Sequence, residues 1–584
     1  MREIFQIDKR HEGSKKVVPL KEAIEKSIEP GMKLHLSNGA YANASLREII
    51  RQYLDKDPKF TLISSGVTTP FEIGLALSGV VRKIITTNHS YIYPTPRPIP
   101  LLRKMHQEEH IEIEEWSLLS LEQRLMAGAM GVGFLPTRAL MGTNLAEENT
   151  EDFKITTNPF DKDMEIGAVR ALLPDISLIH GCVADSDGNA ILSPPYFTSI
   201  WGPRASRGGI VLTVDKVVSS EFIRQHSALV KIPGFMVKYV CEVPLGAHPQ
   251  GMVAESIGIE GGYSEDYEFI NSSLGASKDS GSLREWLEEW VIGCPDQDEY
   301  LRKLGHERIS FLKGESKSED RREKETDPGV EPVTHEGFNP AEMMIVTAAR
   351  EIKEIIKKND YKTVLSGIGS PGLAAWLAFY VLRGEGFKVD LLTGLGQVGF
   401  MPRPGDPFLM SLSNLMTCSM LTDAVEIYGT FVGGMNNRCL SVLGTAQIDK
   451  FGNINTVKID GSPLIGVGGA GDAVNALETL VMTKQSRKRL MEKVSYIGCP
   501  GKNIKTLVTD LGVFKKLHRD ETFTLTKRLS STFPGESEDR LREIRDQCGW
   551  ELDISDALEE VLPPTTEELS ILRSLDPGGL FINR

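Results

Sequence analysis

A chain of 584 residues is too long for a single hydrophobic core, so we expect two or more domains. The composition is that of an ordinary soluble globular protein, with 40% hydrophobic and 25% charged residues. The net charge of −14 argues against generic binding to nucleic acids or membrane surfaces. It still leaves room for an anionic cofactor held by a few local N–H groups or cations.

Other sequence features predict a cytoplasmic enzyme without a metal. No apolar run approaches the roughly 18 residues of a transmembrane helix, and the N-terminal segment lacks the apolar core of a signal peptide. The seven cysteines are scattered, odd in number and without a CxxC pair. They indicate reduced thiols, and neither a metal site nor a disulfide framework.

Short β-rich runs alternate with helical stretches along the chain. Strands are predicted at 33–36, 60–63 and 83–86 in the first half, and at 363–366 in the second half, where a helix follows over 373–382. This alternation favours an α/β fold with mostly parallel, doubly wound sheets flanked by helices.

A charged segment separates the two halves. Residues 315–328 contain no apolar side chain and cannot bury enough surface to offset their ordering entropy. We predict domains at 1–312 and 338–584, joined by a solvated linker at 313–337. A docking segment for a partner is the alternative interpretation of the linker.

The two halves share a turn pattern. Asp185 is followed three residues later by Gly188-Asn189, and Asp449 is followed in the same way by Gly452-Asn453. Both turns come after an apolar run, and Asp and Gly-Asn in this spacing are strong turn signals. The repetition favours duplicated domains over two unrelated hairpin turns.

Three glycine-rich loops lie in the second half, at 367–371, 393–399 and 466–472. Backbone N–H groups in such loops can face a phosphate, a carboxylate or a developing oxyanion. For the third loop, a tight crossover between layers is the alternative. The candidate binding residues are Gly367, Gly369, Gly396, Gln397, Gly468, Gly469, Ala470 and Gly471.

The first half offers fewer candidates. Glu114, Glu115 and Ser117 lie where a strand is predicted to end and a helix to begin. Paired carboxylates there could provide a general base, or they could simply complement the helix dipole. The segment 37–39, Ser-Asn-Gly, is either a substrate loop or a plain turn.

In their order along the chain, these segments resemble the family I CoA-transferases, most closely the glutaconate type with its α and β chains fused. The first half matches through segments 115–117, 124–131, 134–138, 185–189 and 244–249. The second half matches through segments 367–371, 446–449, 452–455, 468–471 and 508–514. The resemblance implies two tandem domains of this fold and an acyl-CoA substrate. It also implies that the halves pair as the separate chains of the family do, with room for a homodimer.

The resemblance also implies a covalent route that this chain does not support. In the family, a glutamate in a turn after a strand attacks the acyl-CoA and forms a glutamyl-CoA thioester. Gly394 stands at that position, and no Asp or Glu lies between Leu391 and Pro404. We expect the space of the missing side chain to hold water.

A related branch, the steroid ring-opening CoA hydrolases, lacks the nucleophile and hydrolyses a carbon–carbon bond of a cyclic β-keto acyl-CoA. Its catalytic carboxylate matches a position close to Leu118 in this chain. We therefore predict such a hydrolase, with Glu115 and Ser117 as catalytic candidates and Gly394 marking the missing nucleophile. The alternatives are a CoA transferase that uses another carboxylate and a non-catalytic CoA-binding protein.

Overall fold

The computed structural model describes residues 16–315, 337–435, 437–517, 522–530 and 537–583. The predicted linker at 313–337 begins inside helix His306–Glu315, and its residues 316–336 lie outside the described part of the chain. The domain boundaries at 312 and 338 therefore stay a prediction. No helix in the described parts combines the length and the apolar character needed to span a bilayer.

The first half is built on a nine-stranded sheet. Its centre consists of five parallel strands, which lie side by side in the order Phe60–Ser64, Lys33–Leu36, Ile176–Ala184, Ile210–Val217 and Val237–Glu242. Beyond Phe60–Ser64 the sheet continues in parallel with Val81–Thr86 and Glu112–Glu115. Ala190–Ile191 and Val230–Ile232 add an antiparallel extension. All nine residues of Ile176–Ala184 are buried, as expected for a central strand covered on both faces.

The second half is built on a ten-stranded sheet with the same centre. Its five parallel strands lie in the order Asp390–Leu392, Thr363–Ser366, Cys439–Gly444, Glu478–Met482 and Ile504–Val508. In both halves, the strand that comes first in the chain lies between the second and the third of the five, and the last two follow outward. The outer strands are Gln397–Val398, Met420–Leu421, Gly512–Lys515, Thr524–Leu529 and Asp553–Val561. The predicted α/β class with two tandem, mostly parallel sheets is confirmed.

The two predicted turns share one geometry. A carboxylate oxygen of Asp185 accepts hydrogen bonds from the backbone N–H groups two and four residues on, at 3.1 and 2.9 Å. Asp449 makes the equivalent bonds at 3.0 and 2.9 Å. Gly188 and Gly452 both adopt left-handed φ values, of 94° and 81°. Shared turn geometry on top of shared strand order supports duplication over coincidence.

Helices flank the sheets. For example, Ser370–Gly384 packs on Thr363–Ser366 and Cys439–Gly444. The described α-helices of eight or more residues are Leu20–Ser27, Asn43–Tyr53, Pro70–Leu77, Pro100–Gln107, Leu118–Ala129, Ser280–Leu287, Gln297–Leu304, His306–Glu315, Pro340–Asn359, Ser370–Gly384, Ser537–Asp546 and Thr566–Leu575. Smaller sheets are formed by Phe134–Thr137, Phe153–Asn158 and Asp161–Arg170, and by Gln447–Asp449, Ile454–Asn455 and Leu490–Met491.

A continuous hydrophobic core joins the halves. Trp116 and Leu119 from the first half pack in the same buried cluster as Ile427, Tyr428 and Val467 from the second half. As a result, loops that follow the carboxyl ends of parallel strands in both halves open into one space. In open α/β sheets, ligands bind at such carboxyl edges.

Candidate active site

A cavity of about 200 Å³ lies between the halves. Its first-half wall comes from loops that follow three parallel strands, and its second-half wall comes from the three predicted glycine-rich loops. These wall residues are Asn38, Ser65, Gly66, Thr87 and Asn88 from the first half, and Ser366, Gly367, Gly394, Gly468, Gly469 and Ala470 from the second. The structure thus brings the three loops together, which their separation in the sequence did not guarantee. We call this space the reaction cavity.

The wall of the reaction cavity is uncharged. Among the described residues that line it, none is Asp, Glu, Lys, Arg or His, and only Tyr41 and Tyr428 carry an ionisable group. A covalent route through a wall carboxylate therefore has no residue to carry it in this cavity. Elsewhere in the described chain, no group of three or more His, Cys, Asp or Glu side chains is arranged to hold a metal ion.

The Tyr428 hydroxyl fills the space beside Gly394, the position predicted to lack the nucleophile. It lies on a π-helical turn, Glu426–Val432, a feature often found at functional sites. A Cβ atom built on Gly394 would overlap the Tyr428 hydroxyl oxygen, and so would a Cβ atom on Gly469. The expectation that water occupies this space is therefore wrong, because the phenol is wedged between the two glycines. The φ angle of Gly394 is not left-handed, so the backbone itself would tolerate a side chain there. It is the Tyr428 side chain that leaves no room for one.

The Tyr428 phenol is suited to donate a proton. Its side chain is only 7% exposed, and burial raises its pKa, with a further contribution from the nearby Asp472 carboxyl group. Among the described residues its hydroxyl has no hydrogen-bond partner, although its residue lines the reaction cavity. At neutral pH it is a protonated donor facing the space in which a substrate would lie.

The predicted backbone donors divide into two groups. The N–H groups of Gly396, Gly468 and Ala470 already donate to backbone carbonyls, at 3.2, 2.8 and 3.1 Å. Gly469 also lines the cavity, and its N–H group donates no such bond among the described residues. A backbone donor of this kind at a cavity wall can stabilise a developing oxyanion.

Four of the predicted binding residues do not line the cavity, namely Gly369, Gly396, Gln397 and Gly471. Gln397 is fully buried, and neither of its amide atoms has a hydrogen-bond partner among the described residues. The hydroxyls of Ser366 and Thr393, at the carboxyl ends of neighbouring parallel strands, are also buried without a partner. Buried polar groups are seldom left unpaired, so this edge is built to be completed by water or a ligand.

Glu115 and Ser117 hold the third loop and do not line the reaction cavity. A carboxylate oxygen of Glu115 accepts a hydrogen bond from the Val467 N–H at 2.7 Å, and the other lies 3.4 Å from the His89 ring. Ser117 donates to Asp472 at 2.8 Å and caps helix Leu118–Ala129. The catalytic roles predicted for both residues stay a prediction, but their contacts are those of residues that position the loop.

Two buried carboxyl groups behind the cavity wall carry raised pKa values. Burial raises the pKa of Asp472 to about 7, although hydrogen bonds from the Leu119 N–H and the Ser117 hydroxyl act to lower it. Burial likewise raises the pKa of Glu72 to about 7. Glu72 accepts a hydrogen bond at 2.8 Å from Asn38, which itself lines the cavity. Asn38 of segment 37–39 thus lines the cavity, and the choice between a substrate loop and a plain turn stays a prediction.

Sequence reasoning missed Tyr428, Glu72 and Asp472. Tyr428 lies 34 residues beyond Gly394 and belongs to no recognisable motif, and Glu72 sits inside an apolar helix. The one available signal was the density of glycines at both 394 and 469, which indicated that something large approaches the backbone there.

A second cavity, of about 110 Å³, adjoins the first. The two share six wall residues, namely Tyr41, Thr68, Ile92, Phe197, Leu395 and Met410. Aromatic and aliphatic side chains from both halves dominate this second wall. We call it the side cavity.

Comparison with known proteins gives matches for both halves. The family model described as "Coenzyme A transferase" matches residues 17–243. The A chain of glutaconate CoA-transferase from Acidaminococcus fermentans is 28% identical over 319 residues, covering 51% of this chain and 94% of that one. The B chain of 3-oxoadipate CoA-transferase from Pseudomonas knackmussii is 28% identical over 260 residues, covering 41% of this chain and 94% of that one. An uncharacterized protein of Archaeoglobus fulgidus, 27% identical, is matched over 65% of its own length and 52% of this chain.

Solved structures also match nearly the whole chain. The acyl-CoA transferase YdiF from Escherichia coli O157:H7, crystallised as a thioester complex with CoA, has a TM-score of 0.63 and 16% identity. The alignment covers 96% of each chain. At this identity the likeness establishes the fold, with both halves in the same arrangement within one polypeptide.

Proposed function

We propose that this chain, which belongs to the family I CoA-transferases, acts on a CoA thioester without a covalent enzyme intermediate. Its regions match both of the family's separate chains, which are joined here in one polypeptide. The proposed reaction is hydrolysis of a carbon–carbon bond in a cyclic β-keto acyl-CoA. The observation that carries the proposal is the Tyr428 hydroxyl, which occupies the place of a side chain at Gly394.

The chemistry requires an electrophile, a sink for electrons and a proton. Water forms a bond to the β-carbonyl carbon, and the bond from that carbon to Cα breaks. The electron pair moves into the thioester as an enolate, which then takes a proton at Cα. The product is the ring-opened acyl-CoA, which carries the new carboxylic acid, so atoms and electrons balance without a nucleophilic residue.

The reaction cavity offers groups for each of these needs. The N–H group of Gly469 is the proposed donor to the thioester oxygen as charge develops on it. One such donor typically lowers a barrier by about 3 kcal/mol. Tyr428 is the proposed proton donor to Cα, and the proton that water loses restores its phenol. The uncharged wall keeps these dipoles from competing with fixed charges.

Glu115 and Ser117 enter this proposal as positioning residues. They hold Val467 and Asp472, which flank Gly469, and so fix the direction of its N–H group. Glu72, with its pKa near 7, holds Asn38 at the opposite wall.

The names of the relatives favour a second candidate, a CoA transferase that uses a different carboxylate. Glu265 is the one carboxylate that lines either cavity among the described residues, and it lies in the side cavity. A transferase route would place the glutamyl-CoA thioester there.

Turnover of a cyclic β-keto acyl-CoA in oxygen-18 water tests the proposal. We expect one heavy oxygen in the newly formed carboxylate of the ring-opened product, with the thioester intact. Transfer of CoA to an added carboxylate, with no heavy oxygen in the acyl product, supports the transferase instead. Tight CoA binding with neither product supports a binding protein.

A further inference from the structure

The described wall of the side cavity carries no cationic side chain. Among the described residues of its wall there is no Lys, Arg or His, and the one acidic side chain is Glu265. Seven aromatic residues line it, namely Tyr41, Tyr91, Tyr93, Phe197, Tyr267, Trp286 and Phe408. The cavity meets the reaction cavity beside Gly394, where Leu395 belongs to both walls.

We infer that the side cavity holds the acyl group, and that this group is apolar and uncharged at its far end. The inference rests on the proposed function in placing the thioester at the glycine-rich loops. From there, the part of the acyl group beyond the thioester points toward Leu395 and the aromatic wall.

The aromatic wall is assembled from both halves. Tyr93 stacks on Tyr267 with ring centroids 4.5 Å apart, and Phe408 of the second half meets Tyr93 edge-on at 5.0 Å. Rings packed in this way present a fixed apolar surface at low entropic cost. The volume of about 110 Å³ compares with the roughly 150 Å³ cavity that binds benzene, so a group of about five or six carbons fits.

Glu265 makes the cavity selective. Its carboxyl oxygen accepts a hydrogen bond from the Leu412 N–H at 3.0 Å, which fixes it in the wall. An acyl group that ends in a carboxylate would lose its hydration, find no cation, and meet a second acidic group. Specificity built on such a repulsive element rejects the charged analogue more than it improves binding of the neutral one.

Calorimetric titration with two unreactive thioesters of equal length tests this inference. Hexanoyl-CoA ends in a methyl group and adipoyl-CoA ends in a carboxylate, and neither has the β-keto group that the proposed reaction needs. We expect hexanoyl-CoA to bind at least tenfold more tightly than both adipoyl-CoA and free CoA. Equal affinity for hexanoyl-CoA and adipoyl-CoA would overturn the inference. Because no turnover is measured, this result is independent of whether hydrolysis occurs.

Two kinds of variant sharpen the test. Ile270→Trp and Leu274→Trp each place a large ring in the side cavity from its partly exposed rim. Either one should reduce the affinity for hexanoyl-CoA to that for free CoA and leave free CoA binding unchanged. If they weaken free CoA equally, the side cavity holds part of CoA and the assignment is wrong.

Glu265→Gln keeps an oxygen for the Leu412 N–H but removes the charge. It should tighten adipoyl-CoA at least threefold and leave hexanoyl-CoA unchanged. The matched control is Glu260→Gln at an exposed position outside the wall, which should change neither affinity. If Glu265→Gln prefers hexanoyl-CoA over adipoyl-CoA as strongly as wild type does, Glu265 does not cause that preference.

Discussion

At the scale of single residues, the site is defined by an exchange of side chains. Gly394 stands at the position predicted for the family's nucleophile, and the Tyr428 hydroxyl, from a different segment of the chain, lies where its side chain would begin. Because burial raises its pKa, the Tyr428 phenol stays protonated at neutral pH, which makes it a poor nucleophile there and a weaker acid than a free phenol. In the proposed reaction it protonates a carbanion, which is a stronger base than a phenolate.

Replacing Tyr428 by Phe removes only the hydroxyl. Because that hydroxyl has no hydrogen-bond partner among the described residues, no buried group is left unsatisfied and the fold should keep its thermal stability. We expect kcat to fall by about 10²-fold or more, as is typical for loss of a general acid. Steady-state kinetics and calorimetric CoA binding check this, and CoA affinity should change less than about twofold. Wild-type kcat in the variant would exclude Tyr428 as the proton donor.

The exchange also predicts how a nucleophile could be restored. Gly394→Glu alone should destabilise the protein and lack transferase activity, because its Cβ overlaps the Tyr428 hydroxyl. Combined with Tyr428→Ala, the glutamate gains room, and transfer of CoA to an added carboxylate should become measurable.

The decisive comparison is between the single and the double variant, assayed for melting temperature and CoA transfer. If Gly394→Glu alone is as stable as wild type, the Tyr428 side chain does not rigidly block the space beside residue 394. Tyr428→Ala alone is the control, and it should gain no transferase activity.

At the scale of elements, one segment of the first half holds one loop of the second. The N–H of Leu118 donates to the Gly468 carbonyl at 3.1 Å, and the N–H of Leu119 donates to Asp472 at 2.7 Å. Together with the bonds of Glu115 and Ser117, these contacts fix residues 467–472 from outside their own half. An oxyanion site depends on such fixed donors, since small displacements weaken it steeply.

Ser117→Ala removes the bond to Asp472 and the cap of helix Leu118–Ala129. We expect a loss of about 1–2 kcal/mol of stability and a fall in kcat of about tenfold, with little change in the affinity for free CoA. Thermal unfolding, kinetics and calorimetry measure the three quantities. Ser120→Ala is the matched control, because it removes a hydroxyl from the same helical turn but leaves the bond to Asp472. Equal effects of the two substitutions on kcat would argue for a merely structural role.

Local pattern is enough to predict these elements. The strands predicted at 33–36 and 363–366 have the observed bounds, and the predicted change from strand to helix around Ser117 is confirmed. Of the glycine-rich loop residues predicted as ligand contacts, Gly367, Gly468, Gly469 and Ala470 line the cavity. The direction of each N–H group is beyond sequence reasoning, since Gly396 and Gly468 donate theirs to backbone carbonyls that only the fold brings near. The same holds for Tyr428, whose role depends on a contact between distant segments of the second half.

At the scale of the whole molecule, the halves meet through buried acidic groups as well as apolar surface. Glu122 of the first half is 1% exposed, and burial raises its pKa well above the usual value, with Asp423 of the second half adding to the shift. Its Oε2 atom has no hydrogen-bond partner among the described residues. Burial also raises the pKa of Asp423, and Arg204 partly opposes that shift. The predicted homodimer stays a prediction, since these contacts lie within one chain.

This pair makes stability depend on pH in a defined direction. A carboxyl group with a raised folded pKa binds its proton more tightly in the folded state, so stability falls as pH rises from its unfolded pKa, about 4.5, toward the folded value. Glu122→Gln removes that titration. The melting temperature of the variant should therefore gain on wild type as pH rises from about 5 to 8, by the equivalent of at most about 1.4 kcal/mol per pH unit.

The exposed Glu165→Gln is the control and should show no such pH dependence. A constant difference between Glu122→Gln and wild type at every pH would mean that Glu122 does not carry a raised pKa in the folded protein.

The proposed reaction forms no acyl-enzyme or CoA-enzyme adduct. Borohydride reduction during turnover, followed by intact-protein and peptide mass spectrometry, converts any glutamyl thioester into a stable alcohol. We predict unmodified protein at every glutamate, Glu265 included, while product continues to form. A reduced glutamate that appears only in the presence of acyl-CoA would contradict the account and assign this chain to the transferases.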